Sequence, residues 1–92
     1  MERYTEPSAQ GIYHLAPVQV QLQDGRITGP AVERLAAFEN LYENLLRQQE
    51  EISQKLEVLR GQGKTNSYQF RELMGKKLMN SHTLSLIALY VE

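Results

Sequence analysis

A mostly helical protein with a small N-terminal β element is the fold class this sequence predicts. Three observations carry that expectation. Stepping from Leu35 by three and four alternately meets Leu35, Phe38, Tyr42, Leu45, Gln49, Ile52, Leu56 and Leu59, seven of them apolar. Between them lie Glu39, Glu43, Arg47, Glu50, Glu51, Lys55 and Glu57, which makes a heptad seam with charged flanks. No glycine or proline interrupts residues 31–60, so one long central amphipathic helix is expected over about residues 30–60. Finally, Val18-Gln19-Val20-Gln21-Leu22-Gln23 alternates strictly and runs into Asp24-Gly25, the signature of a strand entering a two-residue hairpin turn.

Taken in order, residues 1–10 carry Glu2, Arg3, Glu6 and Pro7 without periodicity and are expected to form a mobile arm. Residues 11–92 are expected to form a single domain, beginning with a strand or hairpin over 11–28. Only Arg26, Ile27 and Thr28 follow the turn, so the first strand needs a further partner, either residues 11–15 or its own copy in a second subunit. Pro30 opens the long helix with Glu33 in its first turn, at the positive end of the dipole. Gly61 and Gly63 bracket its stop. A second helix is expected over 66–79, capped by Thr65, Asn66 or Ser67, with Asn66 and Gln69 in capping-box spacing. Its buried face is read as Phe70, Leu73, Met74 and Leu78. Asn80-Ser81 reads as a boundary, with a bend and a third helix over 81–91.

A helix of about 45 Å cannot be wrapped on all sides by so short a chain, so an oligomeric helical bundle or coiled coil is expected. In an antiparallel pair of long helices Leu35 faces Leu59, Phe38 faces Leu56, Tyr42 faces Ile52 and Leu45 faces Gln49, with Leu46 near its own copy. The intramolecular alternative folds the C-terminal segments back over the same seam. Gln49 is then either a core-edge residue reaching water or a register device paired with its mate.

Composition narrows the function classes. The chain is 41% apolar and 23% charged with a net charge of −1, which is not the signature of disorder. It has no cysteine, hence neither a disulfide framework nor a thiolate metal site. Residues 1–10 are polar, unlike a secretory signal, and the apolar stretch at 84–91 is too short to span a bilayer. A cytosolic location is the expectation, with no membrane partner.

No catalytic constellation emerges. Gly61-Gln62-Gly63-Lys64-Thr65 resembles the end of a phosphate-binding loop, but Val58 stands where that motif needs glycine, and a helix precedes it. His14 and His82 have no second histidine at ligand spacing, and Ser81-His82 lacks an orienting carboxylate. No metal, cofactor or enzymatic activity is therefore expected. The charges are lopsided: residues 1–59 hold five basic and nine acidic side chains, whereas 60–77 hold five basic residues against Glu72 alone. Lys64, Tyr68, Arg71, Lys76 and Lys77 are thus the candidate partner- or anion-binding residues.

Arg34-Leu35-Ala36-Ala37-Phe38-Glu39 resembles an Arg-Leu-Ala-Ala-Tyr-Glu-Asp motif of small accessory proteins from phages and prophages of Gram-positive bacteria. Phe38 replaces the tyrosine and Asn40 the acidic residue. Where those proteins continue Thr-Gly-Leu, this chain continues Leu41-Tyr42-Glu43, so the likeness covers about seven residues and carries over no functional residue. It implies a mobile-element context. The expected function is a non-enzymatic homo-oligomer that occupies a host component, such as a defence system. The alternatives are a nucleic-acid or nucleotide binder using residues 60–77, and a purely structural coiled-coil protein.

Overall fold

The computed structural model describes residues 1–92, and its order is β1 (Thr5–Pro7), β2 (Tyr13–Leu15), a 3-10 turn (Pro17–Gln19), β3 (Gln21–Gln23), β4 (Arg26–Thr28), α1 (Pro30–Gly61) and α2 (Tyr68–Val91). It is mostly helical with a small N-terminal β region. Two compact units are distinguished, Met1–Glu39 and Asn40–Glu92.

The first unit holds two separate two-stranded antiparallel ladders. Residues 1–10, expected as a mobile arm, instead supply β1, with Thr5 opposite Leu15, Glu6 opposite His14 and Pro7 opposite Tyr13. The reason lies in Ser8: its hydroxyl accepts from the amides of Gln10 and Ile12, and its amide donates to the Ile12 carbonyl, closing the loop. This β1 also takes residues 13–15, so that candidate partner of the following strand is already paired. That strand is shorter than the alternation suggests. Pro17 directs residues 17–19 into a 3-10 turn, and only 21–23 pair with 26–28. The turn between them forms as expected, with Asp24 at φ 53° and Gly25 at φ 74°, the two positive values a type I′ turn needs.

Gly29 carries the junction into α1. Its φ is +118°, and a Cβ there would lie 2.8 Å from Val20 Cα and 2.9 Å from the Gln19 carbonyl oxygen. Only glycine lets the helix start approach that backbone. Pro30 and Glu33 then open α1 as the sequence predicts. The stop is a Schellman motif built on Gly63, at φ +70°, with Gly63 N–H donating to Arg60 and Lys64 N–H donating to Leu59.

The second unit is a helical hairpin. Ser67, rather than an Asn66–Gln69 box, caps α2: its Oγ accepts from Phe70 N–H at 3.1 Å and donates to the Lys64 carbonyl at 2.8 Å. No bend or new helix occurs at Asn80-Ser81, and α2 runs unbroken from 68 to 91. Both residues face α1 instead. Asn80 Nδ2 donates to Gln48 Oε1 at 3.2 Å, and Gln49 Nε2 donates to Ser81 Oγ at 2.9 Å and to the Lys77 carbonyl at 3.0 Å. Their polarity marks a layer in the seam.

Those bonds set the register. Extended along two antiparallel helices of equal rise, they put Leu59 level with Phe70, Leu56 with Leu73, Ile52 with Lys77, Gln49 with Asn80, Leu45 with Leu84 and Tyr42 with Ile87; Arg60 lies over the Phe70 ring at 5.6 Å. The core is Leu45, Ile52, Leu56 and Leu59 alone. Along these residues the intramolecular alternative is realised: α2 of the same chain covers the seam. The buried face of α2 is therefore Phe70, Leu73, Lys77, Asn80, Leu84 and Ile87, each at least half covered. Leu78, expected on that face, is 73% exposed because it stands on the outer flank of α2, and Met74 lies at the edge.

Candidate functional site

The expected seam residues divide between the units. Leu35 and Phe38 belong to the first, where with Tyr4, Leu15 and Ala31 they wall a shallow apolar groove of about 510 Å³. Arg34 beside them stacks over the Tyr4 ring at 3.6 Å and donates to the Glu2 carbonyl. The motif at 34–39 thus has a structural duty, which is to seat the N-terminal residues on the start of α1. In the second unit Tyr42 is half-buried, and Leu46 stands on the flank of the hairpin at 46% exposure.

Gln49 combines parts of the two readings made of it. It is a register device, but its partners are Lys77 and Ser81 of its own chain. Both amide hydrogens are used, while Oε1 is buried without a partner. An acceptor stripped of water costs about 1–3 kcal/mol. The layer therefore specifies alignment at the expense of stability.

The basic candidates are only partly brought together. Lys64 in the loop, Tyr68 and Arg71 gather at the tip of the hairpin, where Arg71 donates to the Asn66 carbonyl and Tyr68 is 78% exposed. Lys76 and Lys77 leave this cluster. Successive helix positions turn by about 100°, so Arg71, Lys76 and Lys77 ring α2 instead of sharing a face. Lys77 is the inward member, lining a groove of about 220 Å³ with Arg60, Met74, Leu78 and Ser81. Arg60 is already bonded to Glu57 at 2.6 Å. No continuous cationic stripe results.

One feature escaped the reading of the sequence. From Leu78 to Val91 there is no Asp, Glu, Lys or Arg, a charge-free run of about 21 Å along the helix. Beyond the stripe packed on α1, this run also presents Leu78 (73% exposed), Met79 (71%) and Leu89 (77%) on the opposite side. The signal is the second spacing of three and four through Gly75, Met79, His82, Leu86 and Leu89, which Asn80-Ser81 masks by reading locally as a helix boundary.

No helix is long and apolar enough to cross a membrane. No protein-family model, curated protein or solved structure matches this chain.

Proposed function

We propose that this chain is a non-enzymatic binding protein that acts as a homo-oligomer and occupies a protein partner. The observation that carries this is the imbalance of its surface. Four residues form the whole core, whereas nineteen large hydrophobic side chains are exposed. Apolar surface on that scale, spread along helix faces, is the mark of a molecule completed by other chains. The charged surface is the specificity element, with Lys64, Tyr68 and Arg71 at the hairpin tip as first contacts and Lys76 and Lys77 on its sides. The resemblance at 34–39 supports a phage or mobile-element factor acting in a bacterial cytoplasm on a host component, interference with a defence system being one such role.

The test is a mass measurement in solution together with affinity capture from lysate of a Gram-positive host. The comparison is a variant with Lys64, Arg71, Lys76 and Lys77 all changed to Glu. The expected result is an oligomer whose specific captured protein is lost in the variant while helicity is kept. A strict monomer, or capture indifferent to the four charges, refutes the assignment.

The exposure of Tyr68 between Lys64 and Arg71 supports a second reading, an aromatic platform with cationic neighbours for single-stranded nucleic acid. Affinity for an oligonucleotide falling steeply with salt, by about one log unit per log unit of salt for each phosphate contact, would establish it.

A further inference from the structure

The back of α2 is the largest feature that the hairpin leaves unexplained. Its inward stripe, Phe70 to Ile87, is occupied by α1. Helical geometry puts Gly75, Met79, His82, Leu86 and Leu89 on the side turned away from α1, with Leu78 and Ser85 beside them. Charged residues normally fill such a face, and residues 78–91 hold none.

The few polar groups there are suited to being dry. Ser85 Oγ donates to the Ser81 carbonyl at 2.9 Å. That hydroxyl has its donor satisfied within the helix, so covering it orphans no proton. His82 is the exception on the back face, with no partner in its own chain.

We propose that this face, residues 75–89, is a homodimer interface covered by the same face of a second copy, running antiparallel about a two-fold axis at His82. The proposal rests on the oligomer reading above and names its surface. Its symmetry follows from the spacing. With His82 against its own copy, Gly75 lies opposite Leu89, so the smallest side chain meets a large one. Met79 lies opposite the Ser85–Leu86 step. The two imidazoles complement each other, one ring N–H donating to the bare nitrogen of the other.

Charge selects the orientation. A parallel pair would set the two copies of Arg71, the cation on this side of α2, next to each other. The antiparallel pair moves them to opposite ends and brings each Arg71 near Glu92 of the second copy. Exposure agrees as well. Leu78, Met79 and Leu89 are each more than 70% exposed and Leu86 45%, so each copy offers four large apolar side chains to an interface that in stable complexes covers roughly 800 Å² per partner. An anionic lipid surface is the poorer occupant, because the run itself holds no cation, and α1 carries Glu43, Glu50, Glu51 and Glu57.

The chain has no cysteine, so single cysteines report pairing directly. Sedimentation of the full chain should give twice its 10.6 kDa mass. Leu86→Glu and Met79→Glu should each raise the dissociation constant by about thirty-fold or more, with helicity retained in circular dichroism. His82→Cys should cross-link to itself under mild oxidation. Gly75→Cys and Leu89→Cys should cross-link poorly alone and well when mixed.

A wild-type monomer overturns this interface and the oligomer reading together. A dimer that ignores both glutamates, or cross-links equally at all three cysteines, overturns this interface and leaves the oligomer reading standing. Flotation of a monomeric chain with phosphatidylglycerol vesicles, lost in Leu86→Glu, assigns the face to lipid and overturns the proposal.

Discussion

Leu56→Ala is the sharpest probe of a core this small. Leu56 is 1% exposed, the most enclosed residue of the chain, and the register set by Gln48 and Gln49 puts it level with Leu73. Truncation removes three carbons, worth about 2.4 kcal/mol at about 0.8 kcal/mol each. A cavity term adds to this, but a seam between two helices is open along both flanks, so neighbours can close much of the space. The expected cost is about 2.5–3.5 kcal/mol, at the lower end for buried leucines. For a chain of this length that corresponds to a melting temperature lowered by roughly 10–25 °C. Leu46→Ala is the matched control, since the same atoms are removed at a site 46% exposed on the hairpin flank. It should cost under about 1 kcal/mol. Thermal and urea melts followed by far-ultraviolet circular dichroism measure both. Equal losses for the two variants, or an unchanged melt for Leu56→Ala, would show that α2 does not cover the seam in solution and refute the hairpin register.

Substitutions at three further positions test other joints. Gln49→Met removes the orphaned Oε1 together with two hydrogen bonds, and should raise stability by about 1 kcal/mol in a urea titration; a loss of that size would mean the polar layer is fully satisfied. Ser67→Ala deletes the α2 cap and should cost about 1 kcal/mol, whereas Ser67→Asp should restore most of it. Gly29→Ala drives a Cβ to 2.8 Å from Val20 Cα at a φ of +118°, and should abolish the dispersed amide resonances of residues 19–30 while leaving those of α2 in place. Unshifted resonances in that segment would contradict the close approach.

Much of the fold was legible in the sequence where a single local rule decided it. Pro30 with Glu33 and the glycines after Arg60 bounded α1, and Asp24-Gly25 named its turn. Elsewhere local rules competed. Asn80 and Ser81 look like a helix end followed by a cap, and they become interior residues because Gln48 and Gln49 supply partners from α1. Lys77 and Asn80 also disguised the inward stripe of α2. With two polar members out of six, it looked less apolar than the outward neighbours Met74 and Leu78. Residues 1–10 were unreadable for another reason. Their pairing depends on the Ser8 hydroxyl closing a loop, which leaves no periodicity. The candidate site was legible only in part, because a list of basic residues carries no angle around a helix. Placing them on α2 separated Lys76 and Lys77 from Lys64, Tyr68 and Arg71.

The two N-terminal ladders are three residues deep and two strands wide, below the size at which a hairpin holds itself together in water. Their amides should therefore exchange with solvent through openings far cheaper than global unfolding, while those of residues 45–59 exchange slowly. A protease acting on native protein will enter through the first thirty residues. What survives digestion should be the helical segment, trimmed but intact, and its yield is a direct gauge of how independent the two units are.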